Sequence, residues 1–148
     1  MEGYREGVNE AGGEFLDAET QYANATADLA VTAMEGIMSK YPEGVAIICS
    51  NNDDMALGAI NALSNAGYNL AGGEGCTVIP VFGVDATEAA KELIANKQMT
   101  GSIKQDAEGM ADAVATITAN LIEGKDKFEG LNENYEVVDG WTVNIPYS

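Results

Sequence analysis

Two apolar runs interrupt a chain otherwise dominated by helical spacing: Val45-Ala46-Ile47-Ile48-Cys49 and Val78-Ile79-Pro80-Val81-Phe82-Gly83-Val84. Neither alternates with polar residues, the pattern of a parallel strand covered on both faces. Pro80 sits near the start of the second run, which a sheet tolerates best at an edge or an end. Around these runs the apolar period lengthens to three and four. Asn24 to Lys40 predicts a helix with Leu29, Ala30, Ala33, Met34, Ile37 and Met38 on one side, stopped by Tyr41-Pro42. Another follows Cys49, with Asn52 or Asp53 as its cap and Met55, Ala56, Ala59, Ile60 and Leu63 as its stripe. Thr87 to Asn96 predicts a third, bearing Ala89, Ala90, Leu93 and Ile94. The longest runs from an Asp106 cap to Glu123, with Met110, Ala113, Val114, Ile117 and Leu121 turned toward the core.

The remaining pieces are shorter. Tyr4 to Ala11 predicts a helix ended by Gly12-Gly13, and Glu14 to Ala18 a short strand. Thr100 to Lys104 reads as a weak, peripheral strand, and the glycine-rich segment Gly67 to Gly75 as a surface connection. Tyr135-Glu136-Val137-Val138 and Trp141-Thr142-Val143-Asn144-Ile145 read as two extended pieces in the tail. Strands alternating with helices make an α/β fold with a mostly parallel sheet and right-handed crossovers. The chain nevertheless opens on a helix, where such units ordinarily begin with a strand.

At 148 residues the chain is long enough for one core. Its 24 acidic and 7 basic residues leave a formal net charge of −17, which works against a nucleic-acid partner, since that affinity rests on neutralising phosphates with Lys and Arg. No apolar run approaches the length of a membrane span, and no basic start leads into an apolar stretch as in a signal peptide. Cys49 and Cys76 have neither metal nor redox spacing; Cys49 ends an apolar run and reads as buried, Cys76 as a loop thiol.

Three polar residues occupy equivalent places: Asn52 after one strand, Asp85 after the next, Gln105 after the third. In a parallel sheet these are carboxyl edges, where ligands bind. A carboxylate accepts hydrogen bonds from neighbouring hydroxyls, and an amide both donates and accepts, so the set suits a neutral polyol. Asn52, Asp53 and Asp106 serve equally well as helix caps. Tyr22 precedes a helix and could stack on a sugar face in the same crevice, or simply pack on the helix start. Catalytic readings fare badly. The chain has no histidine, its cysteines lack an activating partner, and Asp53 and Asp54 point in different directions at a helix start. Gly72-Gly73-Glu74-Gly75 lacks the Gly-Lys-Ser/Thr of a phosphate loop.

Asn51-Asn52-Asp53-Asp54-Met55-Ala56-Leu57-Gly58-Ala59, Ile79-Pro80-Val81-Phe82-Gly83-Val84-Asp85-Ala86 and Gly101-Ser102-Ile103-Lys104-Gln105-Asp106 together resemble the type 1 periplasmic solute-binding proteins of sugar ABC transporters, most closely the galactose/glucose branch. That family has two Rossmann-like three-layer αβα lobes joined by a hinge, with sugar clamped between them. The resemblance implies that this chain is a single incomplete lobe, the C-terminal one, with residues 134–148 similar to the segment that crosses back through the hinge. It places Asn52 and Asp85 on sugar-contacting positions. Gln105 falls where the branch usually has asparagine, and Tyr22 near a stacking tryptophan. The lobe's first strand and a sugar-binding arginine would precede Met1; Arg5 is offset from that arginine and does not inherit its role. The glutamate that would complete the family's calcium loop is Ala46 here, so no metal and no cofactor is expected.

The resemblance implies a non-catalytic, extracytoplasmic protein, periplasmic or lipid-anchored. Its partners would be a monosaccharide such as galactose or glucose, bound weakly by this lobe alone, and an ABC transporter permease. A lobe lacking a strand is also expected to self-associate, as a homodimer or by strand exchange. The effector-binding half of a LacI-type regulator shares the fold, but would want a basic DNA-binding headpiece. A response-regulator-like domain with Asp85 as phosphoacceptor lacks the lysine and acidic pair it needs.

Overall fold

The computed structural model describes residues 2–13 and 20–146. The chain divides into two compact units, residues 1–103 and 104–148. The strand expected over Glu14 to Ala18 lies outside the described residues.

In the first unit, helix α1 (Glu2–Glu10) precedes α2 (Ala27–Lys40), β1 (Ile48–Cys49), α3 (Asp53–Asn65), β2 (Val81–Val84), α4 (Glu88–Ala95) and β3 (Gly101–Ile103). The strands form a parallel sheet in the order β1-β2-β3, with Ile48 opposite Val81 and Val84 opposite Ile103. From α2 to β3, helix and strand alternate as the apolar periods predict. Val81 and Gly83 face the helices and are buried, whereas Phe82 and Val84, on the other face, are half-buried. The core gathers Met34 of α2, Ala56, Ala59, Ile60 and Leu63 of α3, Val81 of β2, Ala90 of α4 and Met99.

Two close approaches set this packing. A Cβ on Gly58 would collide with the Ala27 carbonyl oxygen and stand 2.8 Å from Ala30 Cβ, so glycine lets α3 press on the first turn of α2. A Cβ on Gly83 would collide with Asp53 Oδ1 and stand 2.8 Å from Met99 Cε, so glycine lets α3 sit on the central strand.

Both apolar runs make shorter strands than expected. Pro80 has no N–H to give a ladder, so β2 begins at Val81; the Pro80 carbonyl still accepts from Ile48 N–H at 2.9 Å. The first run is not covered on both faces. Only Ile48 and Cys49 pair, Ile47 is 53% exposed, and Cys49 is exposed rather than buried. The reason is position: among the described residues β1 is an outer strand of this sheet, and Cys49 shares the Phe82 face, away from the α2–α3 core. Helix α2 starts at Ala27 rather than at the expected Asn24, because Asn24 and Ala25 adopt left-handed φ of 47° and 58° and Thr26 is the extended N-cap.

In the second unit, α5 (Ala107–Glu123) is followed by an antiparallel hairpin of β4 (Glu136–Val138) and β5 (Thr142–Asn144). Asp106 caps α5 by accepting from Gly109 N–H at 3.0 Å, and Gly124 closes it with φ 69°. The expected apolar stripe of α5 is buried only in part, at Ala113 and partly at Ile117. Gly109, Ala113 and Asn120 are buried, while Met110, Val114 (65% exposed) and Leu121 are exposed. Asn120 anchors that side, donating from Nδ2 to the carbonyls of Lys127 (3.3 Å) and Glu129 (2.7 Å). The two tail segments read as separate extended pieces are one hairpin, turned at Asp139 and Gly140. Lys127 Nζ stands 3.9 Å from the Trp141 ring centroid.

Candidate functional site

The carboxyl ends of β1 and β2 carry two turns, each held by side chains from other elements. After β1, the Ser50 N–H donates to Phe82 O at 2.8 Å and its hydroxyl to Asn52 O at 2.8 Å. The Tyr4 hydroxyl of α1 donates to Ser50 O at 3.1 Å. Asn52 caps α3, its Oδ1 accepting from Met55 N–H at 2.9 Å. Its Nδ2 makes a long 3.5 Å contact with Ala25 O. Capping and ligand contact therefore do not compete outright: one amide oxygen lone pair and one N–H of this half-buried side chain remain outside these two contacts.

The turn after β2 is strained. Asp85 has φ 111° and Ala86 φ 53°, values costly for residues with a Cβ, roughly 1–3 kcal/mol each. Three successive backbone N–H groups fix the turn. Asp85 donates to Ile103 O at 2.8 Å, Ala86 to Ser102 Oγ at 2.9 Å, and Thr87 to Asp53 Oδ2 at 2.7 Å. Ser102 passes the link on, its hydroxyl donating to Asp53 Oδ1 at 2.6 Å. Thr87 Oγ1 in turn accepts from Ala90 N–H at 3.2 Å and caps α4.

Asp53 is the centre of this arrangement. It is 3% exposed, both carboxylate oxygens accept, and it lies in the first turn of α3, where the helix dipole favours negative charge. Reading Asp53 as one of two cap candidates misses this. The available signal is Ser102, a lone hydroxyl opposite Gly83 in the neighbouring strand, with no Cβ on Gly83 to keep a carboxylate away. Tyr4 is also missed, since nothing in α1 marks which residue reaches a strand end.

Asn52 and Asp85 thus stand at the carboxyl ends of adjacent paired strands, Asp85 exposed. Tyr22 is placed differently. It is 87% exposed and lines a groove of about 470 Å³ along α2 with Leu29, Thr32, Gly36 and Lys40. Gln105 lies in the second unit, half-buried before the α5 cap, its carbonyl accepting from Ala107 N–H at 3.0 Å. Partial burial pushes the Cys49 thiol up, and desolvation, then the neighbouring Cys49, pushes the Tyr4 phenol up. Among the described residues, no three His, Cys, Asp or Glu side chains gather as a metal-binding group, and no helix is long and apolar enough to cross a membrane.

Residues 1–126 match the family model described as periplasmic binding protein domain. The chain belongs to that family. Its fold is the mixed α/β lobe of periplasmic binding proteins, with the parallel sheet described above. Among curated relatives of this periplasmic binding protein domain, the D-galactose/methyl-galactoside binding periplasmic protein of Haemophilus influenzae is 35% identical over 111 residues, 75% of this chain and 30% of the relative. Among solved structures, the periplasmic ribose ABC transporter protein of Conexibacter woesei superposes with a TM-score of 0.63 at 32% identity, covering 84% of this chain and 39% of the other. The transcriptional regulator CelR bound to cellobiose gives 0.67 at 26% identity, covering 82% and 35%. Across four curated relatives that it matches, the chain spans 23–30% of the relative's length.

Proposed function

We propose that this chain is the C-terminal lobe of a non-catalytic monosaccharide-binding protein serving an ABC transporter, on the galactose/glucose branch. The observation that carries the reading is the pair of pinned turns at adjacent parallel strand ends, one presenting Asn52 and the other Asp85 in a strained backbone. Strain maintained by three consecutive anchored amides at a ligand-binding edge is the mark of a pre-shaped site. The relative named for galactose supports the choice of sugar, and its coverage of 30% supports the reading of this chain as part of a larger binder. Asn52 and Asp85 take sugar hydroxyls; Gln105 and Tyr22 are proposed as ligand contacts on the family resemblance alone. Residues 134–148 serve as the hinge crossover. The protein works outside the cytoplasm and delivers sugar to a permease.

Sugar held between two lobes is released when either is withdrawn, since closure supplies half of the contacts. Isothermal titration of this chain with galactose, glucose and ribose is expected to give binding far weaker than micromolar. Micromolar or tighter binding contradicts the half-site reading. The effector-binding half of a LacI-type regulator is a second reading, favoured by the likeness to CelR; a net charge of −17 weighs against a part placed beside DNA phosphates.

A further inference from the structure

We infer that Asp53 and Ser102 are positioning residues for Asp85. They hold the Asp85-Ala86 turn in its left-handed conformation by a relay from a buried carboxylate, through a hydroxyl, to the turn's own amides. The donor accounting leaves the relay one arrangement. Ser102 has a single hydroxyl proton, given to Asp53 Oδ1, so its oxygen is free to accept from Ala86 N–H. The other Asp53 oxygen accepts from Thr87 N–H. Two successive turn amides therefore report to one carboxylate, which itself is fixed on α3 and seated over Gly83. Neither Asp85 nor Ala86 favours φ of 111° or 53° on its own, so the relay selects the conformation.

Neither residue needs to touch ligand. The inference rests on the sugar-site reading for what Asp85 does, but not for how Asp85 is held. It also gives Gly83 a role: a side chain there would evict the carboxylate that sets the neighbouring turn.

The test uses the isotope-labelled whole chain in solution. Three-bond HN–Hα couplings and carbon shifts of Asp85 and Ala86 report φ directly. In the unmodified chain both residues should show positive φ, and the Ala86 and Thr87 amides should exchange at least about fivefold more slowly than unbonded loop amides. Ser102→Ala and Asp53→Asn should abolish the positive-φ signature, Ser102→Thr should keep it, and the α3 cap amide of Met55 should remain unshifted in Ser102→Ala. Folded Ser102→Ala with its left-handed signature intact overturns the inference. So do fast-exchanging Ala86 and Thr87 amides in the unmodified chain, a result that needs no variant to fold. A parallel galactose titration separates the two readings. Shifts at Asp85 that survive unchanged in Ser102→Ala sink the positioning role and leave the sugar site standing. No galactose shift in any variant removes the sugar reading, while the couplings still decide how the turn is held.

Discussion

The Asn69 side-chain amide pairs with the Ile79 backbone as a strand residue would. Ile79 N–H donates to Asn69 Oδ1 at 2.9 Å, and Asn69 Nδ2 donates to Ile79 O at 2.8 Å. The second Nδ2 proton goes to Gln98 O at 2.8 Å, and Gln98 Nε2 returns a bond to Asn69 O at 3.1 Å. One fully buried side chain thus ties the glycine-rich connection to the approach of β2 and to the loop before β3.

Removing that amide should cost more than an ordinary surface change. Asn69→Ala leaves buried backbone groups at Ile79 and Gln98 without their partner and keeps a Cβ at φ 44°. We expect a loss of roughly 3 kcal/mol by urea denaturation, from unsatisfied polar groups and the left-handed backbone together. Asn69→Gly should lose about 1 kcal/mol less, because the backbone cost is lifted. Equal losses for the two would show that φ contributes nothing there.

Cys49 is exposed at the end of β1, yet partial burial pushes its thiol above the ordinary value. A raised value means less thiolate at neutral pH and therefore slower alkylation, with the rate climbing as pH rises past the usual thiol range. Cys49 and Cys76 are both free. Pulsed alkylation with peptide mapping should find two reactive thiols without prior reduction, with Cys49 lagging an unstructured cysteine at pH 7. Cys49 labelled at the unstructured rate would contradict the desolvation assigned to it.

The sheet face carrying Phe82 and Val84 is apolar, and Ile103 beside Val84 is 55% exposed, as is much of Ile47. Covering such surface is favourable by roughly 25 cal/mol per Å². Light scattering across a concentration series should therefore show self-association, reduced by Ile47→Lys and Ile103→Lys. A monodisperse monomer at high concentration, in salt that screens the acidic surface, would contradict it.

How legible these features are in the sequence follows from whether their cause is local. Helices α3, α4 and α5 carry their caps at Asn52, Thr87 and Asp106, one residue before each helix and within four residues of the first apolar position of its stripe, so their starts can be read directly. Helix α2 cannot be bounded that way: Thr26 makes no side-chain cap hydrogen bond, and nothing in the apolar pattern marks the left-handed backbone of Asn24 and Ala25. The tail hairpin carries a local signal at its turn, Asp139-Gly140, which takes φ of 54° and 74°. Asn52 and Asp85 are legible as strand-end residues because the apolar runs stop just before them. The relay that shapes the Asp85 turn is not, because it joins Asp53, Thr87 and Ser102 across three elements.

The central claim is that the adjacent strand ends at Asn52 and Asp85 grip a monosaccharide. It is tested most directly by mapping amide shifts of the labelled chain titrated with galactose into the millimolar range, beside an Asp85→Ala variant. The expected result is shifts concentrated at residues 50–53 and 84–87 and lost in Asp85→Ala. Shifts that gather elsewhere, or that persist undiminished without the Asp85 carboxylate, would contradict it.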